Sequence, residues 1–470
     1  MLFNSYIFLF LFLPLTLTGY FATNKYLSFN LSKLFLVFMS LYFYGYFNPK
    51  YLIIIVCSII INFLIGNNLS FAKKFNKNFL FISALIFNIG ILGYFKYYDF
   101  FLSNINYIFK TNFSLLNLIL PLGISFFTFQ QLSFIVDSYN KKVVKYDFLS
   151  YCLFVTFFPQ LIAGPIVLPD EMLPQFENKH NKSINFTNLN KGLYIFSIGL
   201  GKKILIADSI APFADNGFDK LSSLTFFEGW ITSLSYTMQL YFDFSGYCDM
   251  AIGIALMFNI ILPLNFNSPY KSTNIQEFWK RWHITLGRFL TTYLYIPLGG
   301  NRVSNFKTLK NLLLVFLVSG IWHGAGWNFI LWGALHGISI IVHRIWKSFN
   351  KSLPKLLGWL ITFNIINIFW IFFRAKSLND AFKVLTAMFN VSSIRSFVTN
   401  EYLSSTNTYL GNSTTFFILF IALVIALFFK NSQEKNNNTN SFLWRIEFFL
   451  FSTTSILFLE RIASFLYFNF

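Results

Sequence analysis

Long apolar runs recur from Tyr6 to Leu457, and that recurrence limits the chain more than any other feature. At roughly 20 residues per bilayer crossing, the runs supply about a dozen spans and the loops between them. Only 11% of the 470 residues are charged, against roughly 25% in an ordinary soluble domain. A soluble fold is excluded. Strands of a β-barrel would alternate apolar and polar residues, whereas Phe79 to Phe95 and Thr415 to Phe429 show no such alternation. The pattern predicts an all-α, multipass integral membrane protein. Tyr6 to Ala22 has no basic flank before it and no small-residue cleavage site, so it reads as a retained first span.

The formal charge of +18 would suggest nucleic acid in a soluble protein. Here the cations gather in short loops such as Phe71 to Lys77 and Asn140 to Lys145, where they act as topology anchors, and no nucleic-acid partner is expected. Cys57, Cys152 and Cys248 sit in separate apolar segments, which gives neither a disulfide framework nor a cysteine metal site.

The first third reads as plain spans: Tyr6 to Ala22, Leu34 to Phe47, Tyr51 to Ile65, Phe79 to Phe95 and Leu115 to Ile135. From Phe148 to Trp346, glycine, proline, tryptophan and ionisable residues break the apolar runs. Irregular backbone and charge at membrane depth survive only inside protein or beside a water-filled cavity, so the cavity is expected there. Spans resume at Leu357 to Phe373, Thr415 to Phe429 and Phe442 to Leu457. The chain finishes on an aromatic hexapeptide, Phe465-Leu-Tyr-Phe-Asn-Phe470, although free ends are normally polar. A lipid-linked sugar transporter or flippase is the rival from another class. It would show symmetric halves, and none is visible.

Three of the five histidines lie among tryptophans and glycines: His283, His323 and His336. An ionisable group in an apolar span is costly and usually functional, and loss of water keeps an imidazole neutral, as a general base must be. The glycines beside His323 are expected to let a substrate or another backbone approach the ring. His283 follows Lys280 and Arg281 and is bracketed by Trp279 and Trp282, an interfacial signature suited to an anionic cytosolic cofactor. The histidine separations fit no local metal-ligand spacing. Asp243 and Asp249 are expected to pair with cations and shape the cavity, as are Trp322 and Trp327 to line it.

Leu120-Pro-Leu-Gly-Ile-Ser-Phe-Phe-Thr-Phe-Gln130, Phe157-Phe-Pro-Gln-Leu-Ile-Ala-Gly-Pro-Ile166, Tyr241-Phe-Asp-Phe-Ser-Gly246, Phe278 to Arg302, Trp322-His-Gly-Ala325 and Trp370-Ile-Phe-Phe-Arg-Ala375 together resemble the membrane-bound O-acyltransferase superfamily. The likeness is to its bacterial polysaccharide O-acetyltransferase branch, which includes alginate and peptidoglycan O-acetyltransferases. The sequence departs from that branch at Gly326, Thr285 and Thr292, where Ser, Ser and Asp are usual.

The resemblance implies transmembrane helices at 1–114, a catalytic core at 115–375 with re-entrant or interfacial helices around a central funnel, and C-terminal helices at 376–470. It implies His323 as the catalytic histidine, His283 as its polar partner, and cytosolic acetyl-CoA as acyl donor with no permanently bound cofactor. It implies a place in the bacterial cytoplasmic membrane, with an SGNH-type partner on the far face that completes O-acetylation of an envelope glycan. Peptidoglycan is the first choice of acceptor and a secreted exopolysaccharide such as alginate the alternative. Tyr467 of the terminal hexapeptide would be the acyl carrier, with Arg461 holding the tail through Glu460, Glu447 or another carboxylate.

Tyrosine suits that task chemically. A phenol of pKa about 10 is roughly 0.1% ionised at pH 7, so it needs a base to attack a thioester. The aryl ester it forms has a better leaving group than a serine ester and keeps its transfer potential.

Overall fold

The computed structural model describes residues 1–69, 74–143, 146–394, 413–435, 442–459 and 465–466, and every regular element among them is helical. Among the described residues, four helices are long and apolar enough to cross a membrane: Pro49–Leu69, Asn76–Phe109, Trp327–Ser348 and Lys355–Arg374. Their outward faces carry large apolar side chains. Phe79, Ile82, Ile86 and Ile89 are all exposed at three- and four-residue spacing, one stripe of a helix turned to lipid.

The described residues form two compact units. The first contains residues 1–197 and 248–264. Its helices include Leu13–Tyr26, Phe29–Gly45, Leu52–Leu69, Lys74–Leu92 and Ile124–Tyr139. Asn62 and Asn88 exchange side-chain amide hydrogen bonds of 3.1 and 2.6 Å between two of the spanning helices. Without water, that reciprocal pair satisfies both amides. Lys33 is buried against Asp147, which also caps the Phe148–Thr156 helix through the Leu149 and Ser150 N–H groups.

One expected span is shorter than the sequence pattern. Leu115 to Ile135 reads as continuous, but the helix begins only at Ile124. Pro121 disfavours helical geometry at Leu120, and Gly123 takes φ +69 with its α-carbon against the Leu161 carbonyl, 2.8 Å from where a Cβ would stand. The apolar stretch before the turn is not helical.

The second unit contains residues 198–247 and 265–466. Its centre is the hairpin of Asn305–His323 and Trp327–Ser348. A Cβ on Gly320 would lie 2.3 Å from the Phe329 carbonyl, and one on Gly333 would lie 2.4 Å from the Phe316 carbonyl. These glycines let two helix backbones touch, the small-residue packing that replaces the hydrophobic effect in lipid. Gly324 is filled in the same way, since its Cβ position is 2.1 Å from the Phe329 ring. The glycines around His323 therefore make room for the protein's own second helix, not for substrate. Lys355–Arg374 packs alongside, and Asn328 donates 2.7 Å to the Ala375 carbonyl beyond its C-terminus.

Between residues 265 and 304 the second unit contains only short helices: Pro269–Lys271, Ile275–Arg281, Ile284–Leu290 and Thr291–Tyr295. This is the stretch in which polar residues interrupt the apolar pattern.

Candidate active site

His283 sits in the turn between Ile275–Arg281 and Ile284–Leu290, in left-handed backbone geometry at φ 45, ψ 51. Such a conformation costs a non-glycine residue about 1 to 3 kcal/mol and persists only where surroundings impose it. Two backbone bonds do so. Asn267 N–H donates 2.9 Å to the Arg281 carbonyl, and Ile284 N–H donates 3.0 Å to the Asn265 carbonyl, clamping the turn from both sides.

Asn265 also sets the imidazole. Its Oδ1 accepts from the Thr285 backbone N–H at 3.2 Å and the Thr285 hydroxyl at 2.9 Å, and it lies 3.1 Å from His283 Nδ1. A carbonyl oxygen only accepts, so Nδ1 carries the hydrogen. Nε2 then holds the lone pair. Burial pulls this imidazole down to about 3, so it is neutral at physiological pH.

His323 ends the Asn305–His323 helix, 2% exposed. Its ring centroid is 4.9 Å from Trp322, 5.1 Å from Trp332, 5.1 Å from Phe373 and 6.3 Å from His283. Residues 40 positions apart in sequence thus share one aromatic cage, with Phe244 closing the far side of His283 at 4.9 Å. His336 is separated from this pair by Trp332, whose ring is 4.7 Å from it, and takes the Trp279 indole N–H at 3.2 Å on Nδ1. It belongs to the packing behind the cage.

A cavity of about 420 Å³ borders His283, with Trp279, Lys280, Arg288, Thr291 and Ser319 among its lining residues. The volume falls in the range of small-molecule sites. Of the four residues expected to meet an anionic cofactor, Trp279 and Lys280 reach this cavity. The other two do not line it. Arg281 is held by Glu277 at 2.9 and 3.1 Å and by the Asn267 carbonyl at 3.2 Å. Trp282 is 1% exposed, stacked on Phe278 at 5.6 Å and packed on Trp370 at 4.9 Å, in the core and not at an interface. Trp322 stands in the cage wall, whereas Trp327 begins the next helix and is 59% exposed, facing away.

Asp243 meets the expected cation. Lys203 Nζ is 2.7 Å from Asp243 Oδ1 and 2.8 Å from Asp208 Oδ1, all three side chains buried. Tyr467 and Arg461 lie outside the described residues. Asn265, Arg288, Lys203 and Asp208 join these sites without any motif that marks them in the sequence. The available signal was the cost of a polar side chain among apolar neighbours, as for Asn265 in Leu264-Asn-Phe266, and of Lys203 before Ile204.

Residues 111–377 match the membrane-bound O-acyltransferase family. The chain is 48% identical to a peptidoglycan O-acetyltransferase of Helicobacter pylori, with 100% of this chain and 98% of that protein aligned. It is 38% identical to a probable alginate O-acetylase of Pseudomonas aeruginosa over 83% of this chain and 75% of the other. A teichoic acid D-alanyltransferase of Bacillus subtilis is 27% identical over 67% of this chain and 82% of its own length.

Proposed function

The chain belongs to the membrane-bound O-acyltransferase family and is a membrane-embedded acyltransferase, and from that premise we propose that it carries acetyl groups from cytosolic acetyl-CoA across the bacterial cytoplasmic membrane for O-acetylation of an envelope glycan. The observation that carries this reading is the pairing of two histidines in one aromatic cage, one of which, His283, borders a cavity lined by Lys280 and Arg288. Cations on the cavity wall suit the phosphates of a coenzyme A donor, and a neutral imidazole beside it suits proton removal.

In the proposed reaction the Tyr467 phenol attacks the acetyl thioester. The phenol O–H bond breaks as His323 takes the proton, the new ester C–O bond forms, and the C–S bond breaks. The proton then passes to the departing sulfur. His283, its Nδ1 committed to Asn265, is the polar partner of His323 in the same cage. The aryl ester on Tyr467 is the form in which acetyl reaches an SGNH-type partner on the far face, whose serine passes it to the glycan. Peptidoglycan is the favoured acceptor because the full-length relative at 48% identity bears that name, and alginate-like exopolysaccharide is the second reading.

The test is a proteoliposome assay with acetyl-labelled coenzyme A, followed by peptide mass spectrometry. Label is expected on the peptide that contains Tyr467. Label consumed with none ever on that peptide would remove the carrier step, and no consumption at all would remove acetyl-CoA as donor.

The orienting amide has its own expected effect. Asn265→Ala deletes a hydrogen bond of about 1 to 1.5 kcal/mol, which corresponds to roughly a tenfold fall in kcat where the bond serves the transition state. The KM for acetyl-CoA should stay within about twofold, and Asn265→Asp, which keeps an acceptor, should restore most of the rate. An unchanged kcat in Asn265→Ala would show that the tautomer does not matter.

A further inference from the structure

Lys203, Asp208 and Asp243 form a charged cluster that the proton transfer does not use. Lys203 and Asp208 belong to consecutive segments, the π-helical Lys202–Ala207 and the helix Asp208–Asp215, and Asp243 comes from Phe226–Met257. Gly246 brings these elements together, because a Cβ there would be 2.8 Å from the Gly199 carbonyl and 3.2 Å from Lys202 Cβ. The side chains of Lys203, Asp208 and Asp243 are 2%, 6% and 2% exposed. One ammonium cannot balance two carboxylates, so a buried cluster of this composition requires further N–H donors.

The chain's own C-terminal region supplies one. The Leu466 backbone N–H donates 2.9 Å to Asp243 Oδ2, while Lys203 Nζ lies 2.7 Å from Oδ1 of the same carboxylate. The preceding residue is fixed too. The Phe465 ring is 1% exposed, lies 4.7 Å beneath Lys203 Nζ, and meets the Tyr247 ring edge-on at 4.9 Å. A carboxylate, a cation and an aromatic edge thus hold two consecutive residues by backbone and by ring.

We propose that the Lys203–Asp208–Asp243 cluster is a mooring site that binds the C-terminal tail at Phe465 and Leu466 and so fixes the register in which Tyr467 is presented to the histidines. The proposal deepens the carrier reading and rests on it for its purpose, though not for the mooring itself. Register is the property a backbone hydrogen bond confers: a one-residue slip of the tail would move the phenol by about 3.8 Å along the chain, too far for proton transfer. The same helix segment faces both sites. Asp243 takes the Leu466 N–H while its neighbour Phe244 packs on the His283 ring at 4.9 Å, so tail and imidazole are positioned from adjacent residues.

The experiment is carboxypeptidase digestion of the full chain in detergent, scored as release of Phe470 and Asn469, with acetyl labelling of the tail measured in parallel. Leu466→Pro removes the N–H donor, also restricts the backbone at Phe465, and leaves the ion cluster's side chains in place, so its release rate should rise tenfold or more over wild type. Asp243→Ala should match it. Leu466→Ala, which keeps the N–H, should remain as protected as wild type. Equal release from wild type and Leu466→Pro would overturn the mooring even if Tyr467 is acetylated normally. Protection lost in Leu466→Pro alongside a wild-type tail that never takes acetyl would establish the mooring and defeat the carrier reading instead.

Discussion

Removing the His323 imidazole, by His323→Ala, is expected to lower acetyl transfer by roughly 10²- to 10⁴-fold, the usual contribution of a positioned proton acceptor, and His283→Ala, which deletes its partner in the cage, is expected to lower it as well. The size of the effect follows from the phenol. At pH 7 almost none of it is ionised, and the rings packed on the histidines, Phe244, Phe266, Trp322, Trp332 and Phe373, offer no proton acceptor of their own. Because both rings occupy one cage at 6.3 Å, they should act as a unit, and the double variant should be little slower than the worse single one. His323→Gln and His283→Gln preserve more of the ring volume and serve to show, by thermal melting, that lost activity is not lost folding. The measurement is single-turnover transfer from labelled acetyl-CoA. A variant keeping more than a tenth of the wild-type rate would remove that histidine from the mechanism.

The second large effect is expected at the tail. Tyr467→Phe deletes one hydroxyl and should abolish acetate on the C-terminal peptide and on the glycan, a loss of at least about 10³-fold against the background of thioester hydrolysis by water. Tyr467→Ser separates two explanations for that loss. A serine alkoxide is a far poorer leaving group than a phenoxide, so a serine that accepts acetyl should hold it, giving a labelled tail with little onward transfer. Label that turns over as fast on serine as on tyrosine would show that the aryl ester has no special role.

The positions of the spanning helices were legible where the apolar runs were long. Leu357 to Phe373 lies within Lys355–Arg374, and Tyr51 to Ile65 lies within Pro49–Leu69, because a bilayer-length apolar run has few other ways to satisfy its backbone. Leu115 to Ile135 failed for a local reason, as Pro121 and the left-handed Gly123 outweigh a composition that otherwise suits a helix. His283 and Trp282 look interfacial in sequence since both stand beside two cations, yet one cation is turned back on Glu277 and the indole is packed against Phe278 and Trp370.

By itself the sequence determined the class of the protein, an acyltransferase embedded in lipid, because apolar run length and a set of ordered motifs are properties of the chain read in one dimension. Only the tertiary structure decided which polar groups meet. Asn265 reaches His283 across 18 residues, His323 reaches it across 40, and Asp243 reaches Leu466 across 223. The reason is physical: glycine contacts such as Gly320 with Gly333 and Gly246 with Gly199 fix how closely helices approach, and no periodicity along a single helix reports what stands opposite it.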